Sequence, residues 1–586
     1  MIKEDINWSP IEGEIMTRWA KNVNPDLPHP EYPRPQMKRG EWLNLNGLWD
    51  YAICRKDRQQ INSYDGKILV PFPLESALSG VKKKLKPNQK LLYRRGFRIP
   101  KHWKNKKIIL HFGAVDWEAR VFINRKEIGK HQGGYTPFSY EISEYLKYDD
   151  ENELFVEVWD PTDKNGYERG KQTLNPKYCW YTAVSGIWQT VWLEPVSSTF
   201  IEKFRLTPDI DKKILNINLI IHNFLPEYHL EVEIKGESSI KKKFTSLFNE
   251  IEIDIPSPTL WSPDNPYLYE LRIKVSKENQ VIDEIESYFG MRKISLGKEI
   301  DNIRHIELNN EEIFQYGTLD QGYWPDGLYT APTDEALRYD IEITKDLGFN
   351  MIRKHVKVEP ARWYYYCDKL GILVWQDMPN GGTSKIAQPF GGVQERHNTR
   401  DQSTKKYYCQ ELESMVNTLY NSPSIVTWVP FNEGWGQFNT IKVWKKLMEL
   451  DKSRLIDVAS GWLDFGVGDI YDIHTYPNPA IPPIGKLKSR AAVVGEFGGL
   501  GFAVKSHMWN FKEKFVYRDY IDQEKLMRKY EKLILKLKRL KKKGISAAIY
   551  TQITDIEQEI NGLLTYDREF IKFDKEKVRK LNLNLY

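Results

Sequence analysis

Residues 425–437 read Ile-Val-Thr-Trp-Val-Pro-Phe-Asn-Glu-Gly-Trp-Gly-Gln. The run from Ile425 to Val429 is apolar and β-rich, the composition of a strand buried on both faces. Asn432 and Glu433 follow at once, with Gly434 and Gly436 flanking Trp435. Glutamate is almost never fully buried unless it is paired or used, so a carboxyl at the end of such a strand is poorly explained by packing. The plainer reading, a loop Glu that happens to follow a strand, weakens if a second carboxylate occupies the same setting. One does, at Glu496 in Ala491-Ala-Val-Val-Gly-Glu-Phe-Gly-Gly499.

Working outward, strand-like runs alternate with helical stretches from residue 295 to the end. The strand candidates are IFQYGTL (313–319), NMIRKH (350–355), ILVWQDM (372–378), IVTWVPF (425–431), LIDVAS (455–460), DIYDIHTY (469–476), AAVVGEFG (491–498) and ISAAIYTQ (545–552). Helices are expected over 334–348, over 361–371, after a long insertion before 425, and in a lysine-rich stretch that includes 532–543. Eight strands over this length predict a (β/α)8 barrel for residues 295–586. A doubly wound open sheet is the alternative, but no glycine-rich phosphate loop follows the first strand.

Upstream the rhythm is different. Residues 1 to about 40 are polar and proline-rich and read as an extended arm. From Trp42 short alternating strands are broken by Asn-Gly, Asp-Gly and Gly-Gly, which predicts an all-β sandwich, so the first domain is 1–198 including the arm; its segments 42–51 and 112–138 resemble those of a known β jelly-roll domain. More alternating segments from 199 to 294 predict a small immunoglobulin-like sandwich with a solvated Lys/Glu face.

Composition narrows the function. The chain has 586 residues, 86 basic against 80 acidic side chains, and a net charge of +6. That surplus is small and dispersed, which argues against a nucleic-acid partner. Lys532–Lys543 is basic, but its leucines and isoleucine fall at helical spacing, so it reads as an amphipathic helix with a solvated face. The four cysteines are far apart and form no Cys-x-x-Cys pair, so neither a zinc site nor a disulfide framework is expected. No signal-like or membrane-spanning run is evident, which predicts a cytoplasmic protein with no membrane partner. Aromatic residues make up 13% of the chain, a composition suited to stacking on sugar faces and to β-sandwich cores.

Catalytic groups of such a barrel sit where its strands end. Reading off those positions gives Arg353 and His355 after strand two, Asp377 after strand three, and Asn432 and Glu433 after strand four. Strand six gives His474 and Tyr476, strand seven Glu496, and strand eight Gln552 with Asp555 just beyond. Two carboxyls on one face suit cleavage of a glycosidic bond, which needs one protonated and one ionised group. Arg353 and Tyr476 are candidates to keep the ionised one charged. Trp324, in the loop after strand one, is read as a stacking wall for sugar, with a hydrophobic plug as its alternative. Asp555 is read either as a glycone ligand or as a helix cap.

Taken together, these segments resemble glycoside hydrolase family 2, the β-galactosidase, β-glucuronidase and β-mannosidase family. The resemblance covers WLNLNGLWDY (42–51) and FGAVDWEARVFINRKEIGKHQGGYTPF (112–138), LWSPDNPYLYELRIKV (260–275) and FGMRKI (289–294), and FNEGWG (431–436) with GEFGG (495–499). It implies a retaining exo-β-glycosidase, most like the β-galactosidases, with Glu433 as acid/base and Glu496 as nucleophile. It also implies Asn432 as a donor to the sugar 2-hydroxyl, Tyr476 as support for the nucleophile, and Arg353 and His355 lining the glycone pocket. Val356 departs from the pattern, standing where many members carry a second His. The substrate is then an oligosaccharide or glycoside, a homo-oligomer is suggested by the family, and neither cofactor nor metal is expected. The alternatives are a β-glucuronidase or β-mannosidase of the same family, or a carbohydrate-binding protein without catalysis. For the first of these, Asn510-Phe511-Lys512 has the Asn-x-Lys form but follows strand seven.

Overall fold

A computed structural model describes residues 8–586 apart from 14, 60, 238, 247–249, 279, 300–302, 383–399, 488 and 511. Part of the insertion before residue 425, and Phe511 of the Asn-x-Lys form, therefore lie outside the described residues.

The first sandwich packs two antiparallel sheets face to face. A six-stranded sheet carries Gly47–Arg55, Gln89–Phe97 and Asn152–Trp159 near its centre, and a four-stranded sheet carries Lys107–Phe112 beside Val191–Val196. Period-two burial along Asn152–Trp159 shows why: alternate side chains enter a core of Trp49, Tyr93, Leu110 and Val156 while the rest face outward. The second sandwich repeats this logic with sheets of three and four strands, from Phe200–Asp209 to Gln280–Phe289, around Leu219, Leu230 and Ile273.

The third region is a parallel barrel. Its strands are β1 (Gln315–Asp320), β2 (Met351–Lys354), β3 (Leu373–Asp377), β4 (Ile425–Val429), β5 (Leu455–Ile456), β6 (Ile470–Thr475), β7 (Ala491–Gly498) and β8 (Ile545–Thr551). The ladder runs β5-β4-β3-β2-β1-β8-β7-β6, so among the described residues the β5/β6 seam alone lacks strand pairing. Asp469 closes that seam by donating its N–H to the Ile456 carbonyl at 2.9 Å. Helices α1 (Asp334–Asp346), α2 (Ala361–Leu370), α3 (Gln402–Leu419) and α4 (Thr440–Leu450) fill the first four crossovers, and α5 (Gln523–Lys541) fills the seventh. α5 is the lysine-rich stretch: it buries Leu526, Tyr530, Leu533, Ile534, Leu537 and Leu540 and leaves the lysines outside. A last helix, α6 (Lys575–Leu583), packs against it.

The barrel core is graded. Met351, Leu373, Trp375, Val426, Ala547 and Ile549 share one apolar cluster. Two residues further along the same inward rows stand Arg353 and Asp377, so the period-two alternation changes from apolar to ionisable toward the strand ends. The arm carries two short 3-10 turns, Ala20–Asn22 and Pro35–Met37, and it is not loose. Trp19 is buried against Trp324, the Thr17 hydroxyl donates to Asp326 at 2.6 Å, and Arg39 pairs with Asp283 of the second sandwich. No helix among the described residues is long and apolar enough to cross a membrane.

Candidate active site

Asp377, the last residue of β3, organises the floor. It is fully buried and accepts Arg353 Nε and Nη2, both at 3.0 Å, in a bidentate pair. His355 Nδ1 lies 2.8 Å from its Oδ2. Val356, a β-branched residue held at φ 45°, adds its backbone N–H to the same carboxylate. Such a backbone is uncommon for a β-branched residue. Burial pushes the His355 imidazole toward its neutral form, and the nearby cation of Lys171 acts the same way. With Nδ1–H directed at Asp377, a neutral ring presents Nε2 as an acceptor.

Arg353 carries the order onward. Its Nη2 donates to Asn432 Oδ1 at 2.8 Å, which orients the amide and leaves Asn432 Nδ2 buried without an acceptor among the described residues. Its Nη1 stands 3.5 Å from Glu496 Oε1. Tyr476 donates its hydroxyl to Glu496 Oε2, and its ring stacks on Tyr517 at 3.7 Å. Burial pushes the Glu496 carboxyl up, but His474, His355, Arg353 and Lys171 outweigh it and hold the group well below the usual carboxylate range. His355 is itself kept neutral, so the charge facing Glu496 comes from Arg353 and Lys171, joined by His474.

Glu433 approaches from β4. Its backbone sits at φ 51° and its N–H donates to the Ser460 carbonyl at 2.9 Å. Non-glycine residues in this region cluster at functional sites. Its Oε1 lies 2.9 Å from His474 Nδ1, while Glu496 Oε1 is 3.6 Å from the same nitrogen. His474 thus stands between the two carboxyls. Burial opposes its charged form, but Glu496, Glu433 and Asp472 prevail and raise its pKa.

The far side of His474 determines where its protons sit. Its Nε2 is 2.9 Å from Ser460 Oγ, and Ser460 Oγ donates to Asp472 Oδ2 at 2.5 Å. A hydroxyl that gives its proton to Asp472 must accept from the imidazole, which assigns Nε2–H. Nδ1 and Glu433 Oε1 then share one proton, carried either as a neutral acid beside neutral imidazole or as carboxylate beside imidazolium. Gly495 is required here: a Cβ would lie 1.9 Å from Asp472 Oδ2.

One oxygen from each glutamate and His474 Nδ1 lie within 4.8 Å of one another. Among the described residues these three could hold a metal ion, a grouping that was not visible in the sequence. With Nδ1 bonded to Glu433, it serves more directly as a proton site.

Three residues read from the sequence lie elsewhere in the network. Gln552 donates to Asn561 Oδ1 at 2.8 Å and accepts from Gln321 at 2.7 Å, within a buried chain that reaches Tyr181 and Glu559. Asp555 accepts Lys572 Nζ at 2.5 Å and Gly562 N–H at 2.8 Å, so it is held in an internal ion pair. Trp324 is 2% exposed, with the Arg568 guanidinium 3.9 Å above its ring. Its burial against Trp19 of the arm and Arg568 supports the hydrophobic plug of the two readings.

The sequence reading missed the contribution of the first sandwich. Its 160–185 loop reaches the barrel face: Arg169 and Gly170 N–H groups donate to the Asn380 carbonyl at 2.7 and 3.0 Å, and Thr182 N–H donates to Glu557 at 2.8 Å. Trp180 of this loop stacks on Trp435 at 4.9 Å. The motif Arg169-Gly-Lys-Gln172 was the available signal.

Three domain families match the chain. Residues 42–194 match Glycosyl hydrolases family 2, sugar binding domain, residues 199–292 match Glycosyl hydrolases family 2, and residues 330–482 match Glycosyl hydrolases family 2, TIM barrel domain. The chain belongs to glycoside hydrolase family 2. Glu433 falls within the matched barrel span and Glu496 beyond it. This family 2 protein is 27% identical over 383 residues to a β-galactosidase of Thermoanaerobacter pseudethanolicus, covering 62% of this chain and 47% of that one. It is 25% identical over 421 residues to a β-glucuronidase of Bacteroides fragilis, covering 66% and 56%. The chain thus spans about half the length of these curated relatives. Its fold is that of a β-D-glucuronidase structure from Dictyoglomus thermophilum, with TM-score 0.74, 18% identity, and coverage of 94% and 98%.

Proposed function

We propose that this family 2 protein hydrolyses a terminal, non-reducing β-linked sugar with retention of configuration. The observation that carries the reading is the pair of glutamate oxygens within 4.8 Å of one another. Retaining glycosidases hold their carboxyls about 5–5.5 Å apart, whereas inverting ones leave about 6.5–9.5 Å for a water. Glu496, held ionised, attacks the anomeric carbon as the glycosidic C–O bond breaks. Glu433 gives the leaving oxygen the proton it shares with His474. In the second step the Glu433 carboxylate takes a proton from water, the oxygen attacks the anomeric carbon, and Glu496 leaves. The unpartnered Asn432 Nδ2 donates to a sugar hydroxyl, the 2-hydroxyl by family resemblance, and His355 Nε2 accepts from another.

The sequence reading favours a β-galactoside, and the relatives named as β-glucuronidases make a uronide the competing glycone. Hydrolysis of a panel of nitrophenyl β-glycosides (galactoside, glucuronide, mannoside, glucoside, arabinoside), with Glu496→Gln as control, tests the proposal. Turnover of one glycoside, lost in the control, is expected. Turnover that survives in Glu496→Gln would exclude Glu496 as nucleophile.

A further inference from the structure

Five lysines are buried among the described residues, and four of them are committed. Lys90 donates to Glu157 at 2.8 Å. Lys354 donates to Asp320 and Glu359 at 2.7 and 2.9 Å. Lys357 donates to the Gly322 and Tyr329 carbonyls and to Glu359 at 2.7–2.9 Å. Lys572, after β8, donates to Asp555 at 2.5 Å and to the Ile560 carbonyl at 3.0 Å. The fifth, Lys171, is 7% exposed, and its ammonium makes no hydrogen bond or ion pair among the described residues.

Its position is fixed by its neighbours. Arg169 and Gly170 are pinned to Asn380, and Arg169 Nη1 donates to the Gly382 carbonyl at 3.0 Å. Gln172 Nε2 donates to Asp116 at 2.8 Å, and the Lys171 carbonyl accepts Tyr181 N–H at 2.9 Å. Gly170, at φ 58°, lets the loop press on the barrel, since a Cβ there would lie 2.6 Å from the Val356 carbonyl. The ammonium stands 5.5 Å from the centre of the Trp435 ring. Burial works against its charge, yet Cys179, Glu559, Glu496 and Glu433 together keep its pKa raised. It therefore stands beside Trp435, two residues after Glu433, and is bonded to neither of the proposed catalytic carboxyls.

An ammonium withdrawn from water is costly unless it is paired, and a charged acceptor forms its strongest hydrogen bonds. The Glu559 oxygens already accept from Tyr181 and Asn561. We propose that Lys171 binds the carboxylate of an acidic glycone, so that the first sandwich supplies the specificity-determining cation and the preferred substrate is a β-hexuronide. This deepens the proposed glycosidase reading and rests on it for turnover.

The test compares 4-nitrophenyl β-D-glucuronide and β-D-galacturonide with the β-D-glucoside and β-D-galactoside on wild type, Lys171→Met and Lys171→Arg. The expected result is preference for one uronide, with kcat/KM on it falling about 10- to 100-fold in Lys171→Met. Activity on neutral glycosides should fall less than on the uronide, since with them Lys171 acts only through the charge of Glu496, and Lys171→Arg should recover part of the uronide activity. Wild-type preference for a neutral glycoside, or an equal loss on both classes, would overturn the proposal while leaving the glycosidase reading intact. Binding of D-glucuronate, D-galacturonate, D-glucose and D-galactose to Glu496→Gln, measured by calorimetry, decides the matter without turnover. A uronate must bind more tightly than its neutral counterpart, and that advantage must vanish when Lys171→Met is added; equal binding refutes the proposal even if no glycoside is hydrolysed.

Discussion

Replacing Tyr476 by Phe removes one hydroxyl and little else. The Tyr476 ring stacks on Tyr517 with planes 1° apart, a contact that phenylalanine keeps. The lost hydroxyl donates to Glu496 Oε2 and lies 3.0 Å from Thr551 Oγ1. Burial and the Glu496 charge hold the phenol protonated, so it acts as a donor throughout the working range. A hydrogen bond to a charged group contributes about 1.5–3 kcal/mol, and each 1.4 kcal/mol is about tenfold in rate. If that bond is realised when Glu496 departs as a carboxylate, kcat falls about 10- to 100-fold on this accounting. The bond also lowers the Glu496 pKa, so removing it raises that pKa and protonates the nucleophile at higher pH. The acid limb of the kcat/KM profile, which reports the free enzyme, therefore moves to higher pH. The assay is a pH profile with an activated aryl glycoside, together with stopped-flow detection of the burst expected when deglycosylation slows. An unmoved acid limb with an unchanged kcat would refute the assigned hydrogen bond.

Glu433→Ala should retain the first step on a substrate with a good leaving group and stall in the second. Added azide should restore turnover and yield the β-glycosyl azide, detected by mass spectrometry and NMR. Asp555→Ala leaves Lys572 buried without its carboxylate. It should destabilise the protein by about 3–5 kcal/mol in denaturant unfolding, with KM little changed, whereas a glycone ligand would show the opposite pattern.

Much of the barrel was legible because parallel strands buried on both faces are continuous apolar runs, and the residue that breaks each run marks the active face. Glu433 and Glu496 stand out for that reason, and Arg353 and Asp377 follow from period-two spacing. LIDVAS read as a full strand, but the regular strand ends at Ile456. Asp457 N–H still donates to the Trp428 carbonyl, and contact with the chain after β4 resumes only as an isolated parallel bridge between Asn432 and Ser460, which sets Ser460 beside His474. The shared proton of Glu433 and His474 was not legible, because it depends on a tautomer set by Ser460 and Asp472. Lys171 was missed because it comes from another domain, and no periodicity in the barrel reports it. Trp324 was ambiguous for a related reason: its covers, Trp19 and Arg568, come from near opposite ends of the chain.

Retention requires that Glu496 form a covalent bond to the sugar. Incubating the protein with the 2-deoxy-2-fluoro β-glycoside of the glycone it hydrolyses, bearing a dinitrophenyl leaving group, should trap that intermediate. Peptide mass spectrometry is predicted to find one fluorosugar ester on Glu496. A label on Glu433, or turnover with no trapped ester and release of the inverted anomer, would contradict the account.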